Sequence, residues 1–139
     1  GALHALGSGG EPGALDAIRR IHARSRVNFV AVQAARAAGG LAGEDAVAFC
    51  LSLVGQPYEP LRAQALESLV RLNCPADKLL AAARAPLASP LVRTRVHALL
   101  AMAAAGTPPD DLLEPLRELL MTDDGLARLA RVAKEAPAR

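Results

Sequence analysis

Along residues 61–72, LRAQALESLVRL, apolar positions recur at helical spacing. Wound at about 100° per residue, Leu61, Ala65, Leu69 and Leu72 share one side, the mark of an amphipathic helix. Arg62 falls inside that apolar arc, between Leu69 and Leu66, an unusual place for a guanidinium. A second stretch, VRTRVHALLAMA from Val92, repeats the pattern with Arg93 in the same place. A feature that returns at a fixed interval belongs to a repeat.

The punctuation supports that reading. Apolar helical runs end at Gly7, Gly39, Asn73 and Gly106, with intervals of 32, 34 and 33. Gly, then Asn, best tolerate the left-handed conformation just past a helix C-terminus. The helices that follow begin their apolar faces at Leu15, Val47, Leu80 and Leu113, with intervals of 32, 33 and 33. The second helices align through Asn28, Arg62 and Arg93, at intervals of 34 and 31. Each unit therefore reads helix, break, helix, cap.

The first helices are GALDAIRRIHA, EDAVAFCLSLV, ADKLLAAARA and DDLLEPLRELL. The second are VNFVAVQAARAA, EPLRAQALESLVRL, PLVRTRVHALLAMAAA and the less regular DGLARLARVAKEA. Ser25, the pair Gln56-Pro57, Ser89-Pro90 and Thr122 mark the breaks between them. Pro60, Pro75 and Pro90 sit near helix starts, where a missing N–H costs nothing. Pro115 lies inside its helix, which is expected to begin late or to kink there. Residues 1–7 read as the tail of a second helix whose partner lies upstream, so the array is expected to be a piece of a longer protein. The expected organisation is one repeat domain over 1–139, with a partial unit at 1–10 and units at 11–40, 41–74, 75–107 and 108–139.

Composition narrows the class. Hydrophobic residues make up 52% of the 139 positions but aromatics only 2%, so the apolar matter is mainly Ala and Leu, both strong helix formers. No run alternates with period two, and no strand is expected. A net charge of +2 gives little long-range field toward nucleic acid or an anionic membrane. No apolar run approaches the roughly 20 residues of a membrane span. Cys50 and Cys74 are too few for a disulfide framework. On antiparallel helices turning near Pro57, a rise of about 1.5 Å per residue puts them at different distances from the turn, roughly 10 and 25 Å. A bridge needs Cα atoms within about 7 Å, so both thiols are expected to be free, which fits a reducing, cytoplasmic compartment.

Three stretches, ALHALGSGGEPGALDAI, EPLRAQALESLVRL and SPLVRTRVHALLAM, resemble HEAT-type helical repeats, particularly the short variety of bacterial HEAT-like proteins. The last two open the second helix with a small or Pro-containing turn, an apolar residue and then Arg, as that family does. The resemblance covers most of the chain and weakens after Thr122. Tetratricopeptide arrays share the period but place aromatic residues at fixed positions, and this chain has no Trp, one Tyr and two Phe. The resemblance implies an all-α fold, a right-handed α-solenoid of about four helix pairs. It also implies that the arginine at this position, matched here by Arg62 and Arg93, bridges acidic side chains and loop carbonyls between stacked units. Asn28 departs from that pattern, and Glu59 is the nearest acidic residue to Arg62.

Candidate chemistry is sparse. His97 falls on the column of Val32 and Leu66 and reads as a packing residue; His4 and His22 have no Cys or carboxylate at i+3 or i+4 to form a metal pair. No GxSxG elbow, phosphate loop or dinucleotide fingerprint occurs, and no strand precedes the turn formed by Gly7, Ser8, Gly9 and Gly10. Asp110, Asp111, Glu114 and Glu118 crowd a helix start and complement its dipole, as Arg128, Arg131 and Lys134 do near the chain end. Arg19, Arg20, Arg24 and Arg26 cluster without aromatic stacking partners. No catalytic residue, cofactor or metal is expected.

These readings point to a non-enzymatic scaffold that binds another protein, or another domain of its own chain, on its concave face. Nucleic-acid binding is an alternative, although Glu67 interrupts a basic face; an accessory role in an enzyme such as a chromophore lyase is another. The HEAT-type resemblance implies that the second helices line the concave face. The column opposite the Leu61–Leu69 stripe holds Ala63, Glu67, Val70 and Arg71, carried by the intervals to Phe29, Gln33, Arg36 and Ala37 and to Thr94, Ala98, Ala101 and Met102. Phe29, Gln33, Arg36, Glu67, Val70, Arg71 and Met102 are the expected partner-binding residues, with Phe29 and Met102 as apolar anchors.

Overall fold

The computed structural model describes residues 13–25 and 27–135; the expectations for residues 1–12, His4 and Gly7 among them, and for Arg26 lie outside the described residues. The helices are α1 (Ala14–Arg24), α2 (Asn28–Ala38), α3 (Glu44–Val54), α4 (Glu59–Arg71), α5 (Ala76–Arg84), α6 (Val92–Ala104), α7 (Pro109–Leu120) and α8 (Asp123–Glu135). A 3₁₀ turn, Pro86–Ala88, joins α5 to α6. No strand occurs among the described residues, so the fold is all-α. Pro60 sits in the first turn of α4 and Pro75 at the N-cap of α5. Helix α7 does not begin late: it starts at Pro109 and runs through Pro115. Having no N–H, Pro115 cannot bond the Asp111 carbonyl one turn back.

Two of the expected caps take the left-handed form. Asn73 has φ 55° and Gly106 has φ 89°. Each closes its helix with the same pair of bonds, a Schellman motif. Asn73 N–H donates to the Val70 carbonyl and Cys74 N–H to that of Leu69; Gly106 and Thr107 donate likewise to Ala103 and Met102. Gly39 differs, with φ −63°. It is glycine for another reason: a Cβ there would lie 2.7 Å from Ser68 Oγ and 2.8 Å from Ser68 Cβ. The requirement is close approach of α2 to α4, not backbone freedom. Gly125 is a similar case, since a Cβ would run into the Leu119 carbonyl oxygen where α8 turns back on α7.

Consecutive helices pack in pairs, α1 on α2, α3 on α4, α5 on α6 and α7 on α8. The second helices also pack on one another: α4 lies against both α2 and α6, and α6 continues onto α8. The main core runs through α1 to α6 and includes Ile18, Leu53, Leu61, Leu66, Leu69 and Leu79. A smaller cluster of Val96, Leu99 and Leu119 joins α6 to α7.

Burial repeats along the chain. From residue 59 to 68 in α4, and from 92 to 101 in α6, buried and half-buried positions follow the same order, 33 residues apart. Both helices are 13 residues long and end in the same cap, which fixes the register. Between α2 and α4 the interval is 34, pairing Val32 with Leu66 and Ala34 with Ser68, all buried. In the first helices, buried Ala14, Ala46 and Leu79 correspond, as do Ile18, Cys50 and Ala83.

This register corrects two expectations. The interval of 31 between Arg62 and Arg93 is not structural: Arg62 corresponds to Arg95, and buried His97 corresponds to buried Gln64 rather than to Leu66. The supposed outward column is in large part interior. Ala63, Thr94, Ala98 and Ala101 are 0% exposed and Ala37 is 2% exposed. A helix packed on its own partner and on two neighbours has little outward face, and small side chains are what let these helices close up.

Candidate functional site

Arg62 ties together the two helices of one unit, and its partner Glu59 carries the network to the next. Its Nε donates to the Val54 carbonyl at 3.2 Å, at the C-terminal end of α3, where a cation also meets the negative end of the helix dipole. Its Nη1 meets Glu59 Oε1 at 2.8 Å. The other carboxylate oxygen of Glu59 accepts from Ser89 Oγ at 2.6 Å, and the Glu59 carbonyl accepts from Thr94 Oγ1 at 3.3 Å. Glu59 thereby ties α4 to the turn and helix of the following unit. The Ser89 bond, outweighing partial burial and helped by Arg62, holds its carboxyl below the usual carboxylate range. Arg93 makes no such network; no hydrogen bond or ion pair engages its guanidinium among the described residues. Pro90, not an acid, stands three positions before it.

Arg62 also walls a groove of about 540 Å³ between α3 and α5, with Leu51, Val54, Gly55, Ala82, Ala85 and Pro86. Successive first helices barely touch, while the second helices behind them pack tightly, and this leaves the groove open. A groove of about 290 Å³ between α5 and α7 is its repeat. Thirty-three residues on from these seven stand Arg84, Leu87, Ala88, Arg95, Pro115, Glu118 and Leu119, and every one of them lines the second groove; Lys78 and Ala81 also line the first, and their counterparts Asp111 and Glu114 do not line the second. Arg95 takes the place of Arg62. A third depression, about 390 Å³, adjoins it through Arg84 and Leu87 and includes Met102 and Thr107.

The expected partner-binding residues fall into separate settings. Phe29 is 67% exposed, while its counterpart Ala63 is fully buried. Arg36 is exposed and its Nε donates to Gln64 Oε1 at 3.3 Å; Gln33, one turn earlier, is half-buried. Gln64 Nε2 donates to Ser68 Oγ at 3.3 Å, and Ser68 Oγ donates to the Ala35 carbonyl at 2.7 Å, a polar seam between α2 and α4. Glu67 and Val70 are half-buried and Arg71 is exposed. Met102 corresponds to the core residue Leu69, so it faces inward toward the third depression rather than sharing a column with Arg71. Leu100 and Ala103 are the α6 counterparts of Glu67 and Val70.

His97 is 8% exposed; burial lowers its pKa, opposed by Glu67 of α4 and reinforced by Arg93 of α6 and Arg128 of α8. A neutral imidazole at this junction fits packing better than proton transfer. Among the described residues, no group of three His, Cys, Asp or Glu is arranged to hold a metal, and no helix is long and apolar enough to cross a membrane. The acidic residues that open α7 are solvated, with one exposed pair, Arg117 to Glu114 at 3.6 Å.

Cys50 and Cys74 are buried free thiols. Burial first, and then the neighbouring Cys74, push the Cys50 thiol up to about 12 from 9.0. Both thiols should resist a thiol reagent in the native protein and react when it is denatured without reductant. Because the folded state favours protonated Cys50, its contribution to stability is complete below pH 9.0 and is lost as pH rises toward about 12. Unfolding followed across that window should show a steeper alkaline loss than in Cys50→Ala; equal slopes would contradict the burial.

No protein-family model, curated protein or solved structure matches the chain.

Proposed function

We propose that the chain is a HEAT-like repeat array, a right-handed α-solenoid of four helix pairs. It acts as a non-enzymatic scaffold that binds another protein, or another domain of its own chain, through the face its second helices present. What supports this reading is the burial register of 34 and 33 residues together with the packing of each second helix on the next. Units that contact only their neighbours make an extended surface, which suits a macromolecular partner better than a small substrate. Phe29, Gln33, Arg36, Glu67, Val70 and Arg71 remain accessible to differing degrees on that side and form the proposed contact set. The two buried free thiols fit a reducing, cytoplasmic setting. The short HEAT-type resemblance fits a bacterial source.

The test is affinity capture from cell extract, comparing the wild-type chain with Phe29→Ala and Arg71→Ala. Each substitution should weaken a specifically captured partner by more than about 1 kcal/mol while the melting temperature stays unchanged. Retention of the partner by both variants, with loss on substitution of Lys78 or Ala81 between the first helices, would assign the surface to the opposite side.

A further inference from the structure

The two grooves related by 33 residues differ in how their arginine is neutralised. In the first, the arginine is neutralised from within: Glu59, three positions before Arg62, supplies a carboxylate at 2.8 Å. In the second, the corresponding position is Val92, and no acidic side chain stands there. Arg95 is half-buried, and its guanidinium has no hydrogen-bond or ion-pair partner among the described residues. Arg84 replaces Leu51 on the groove wall and, like Lys78 in the first groove, is a second cation; it is likewise unpaired among the described residues. The rest of the surface is largely apolar, with Leu87, Leu99, Pro115 and Leu119, and Glu118 contributes the one carboxylate among the described residues.

The geometry points to the Arg84–Arg95 groove as a docking site for an acidic, leucine-containing segment of a partner protein, whose carboxylate takes the place beside Arg95 that Glu59 fills beside Arg62. A guanidinium is weakly hydrated for a cation and offers a planar fork of donors, so a carboxylate satisfies it with two parallel bonds. The apolar wall accepts the neighbouring leucine side chains, and the groove is of a size to receive one acidic residue with its flank. Phosphate ions match the charge but leave Leu87, Leu99 and Leu119 uncovered, which favours a peptide. The inference does not rest on the contact set proposed above, because this groove lies between first helices.

The probe is a short fluorescein-labelled peptide of leucine and glutamate, with its glutamine counterpart as control, read by fluorescence polarisation at about 150 mM salt. The glutamate peptide should bind at least about tenfold more tightly than the glutamine peptide. Arg95→Gln should abolish that difference. Val92→Glu should abolish it too, by installing the internal carboxylate of the preceding unit; an acid at a helix start is favourable and offsets the lost packing of Val92 on the Val96, Leu99 and Leu119 cluster, and the melting temperature of this variant checks that it is folded. Glu118→Gln should strengthen binding by removing a competing carboxylate. The inference is overturned by equal binding of the two peptides, by no binding of either, or by a preference that survives both Arg95→Gln and Val92→Glu. Displacement of the glutamate peptide by an equimolar amount of inorganic phosphate would overturn the peptide as occupant in favour of a small anion. Phe29→Ala and Arg71→Ala should leave this binding unchanged, so failure here and failure of the scaffold surface are read separately.

Discussion

Leu69→Ala is expected to lower stability by about 2–5 kcal/mol, the range for a buried leucine truncated in a core that cannot fully collapse. Leu69 is 0% exposed, and it belongs to the cluster shared by α1 through α6. Its carbonyl also accepts the Cys74 N–H that closes the α4 cap, so the helix end is anchored at the same residue. Removing the side chain leaves a void between helices that pack on several neighbours. The control is Glu67→Ala on the same helix, half-buried and outside the core, which should stay within about 0.5 kcal/mol of wild type. Denaturant unfolding of both variants checks this. Equal midpoints would mean that the wrong face of α4 has been placed in the core.

Gly39→Ala is the second large effect, expected at about 1–3 kcal/mol from overpacking. A methyl group at this position in isolation would do no harm, since φ is −63° and the alanine would reduce the freedom of the unfolded chain. The cost comes from across the helix pair. The new Cβ would meet Ser68 Oγ at 2.7 Å and the Ser68 backbone Cα at 3.1 Å. Relief requires α2 and α4 to separate, which breaks the 2.7 Å bond from Ser68 Oγ to the Ala35 carbonyl and loosens the seam with Gln64. Ser68→Gly should therefore recover much of the loss when combined with Gly39→Ala, although alone it destabilises. A double-mutant cycle measures the coupling; additive effects would show that the two residues do not meet.

The helices were readable because their punctuation is strong. Glycine and proline bracket Ala- and Leu-rich runs, and α3 occupies the same residues, Glu44–Val54, that its apolar period marks out. The register of α6 was harder to read, because VRTRV offers two arginines and the one nearer the proline looks like Arg62. The cap interval from Asn73 to Gly106 favoured Arg95, and it carried the better information, since a helix end is set by backbone hydrogen bonding whereas a surface arginine can shift by two positions at little cost. The outward column failed for a related reason. Alanine suits an exposed helical face and a tight interface alike, so Ala63, Ala98 and Ala101 gave no sign of which they occupied. Gly39 was readable as a helix end, but its role as a contact point depends on Ser68 in another unit, which no local pattern announces. The groove around Arg95 was invisible for the same reason, being assembled from α5, α6 and α7 and recognisable only as a copy of the groove around Arg62.

The measurement that bears most directly on the stacking of units through their second helices is amide hydrogen exchange on Leu69→Ala, resolved by helix and compared with wild type. In a stack where each second helix packs on the next, damage to α4 propagates to the elements it supports. Amides of α2 and α6 should then lose protection together with those of α3 and α4, while the Glu67→Ala control keeps the wild-type pattern. Loss confined to α3 and α4, with α2 and α6 protected as in wild type, would contradict the stacked arrangement.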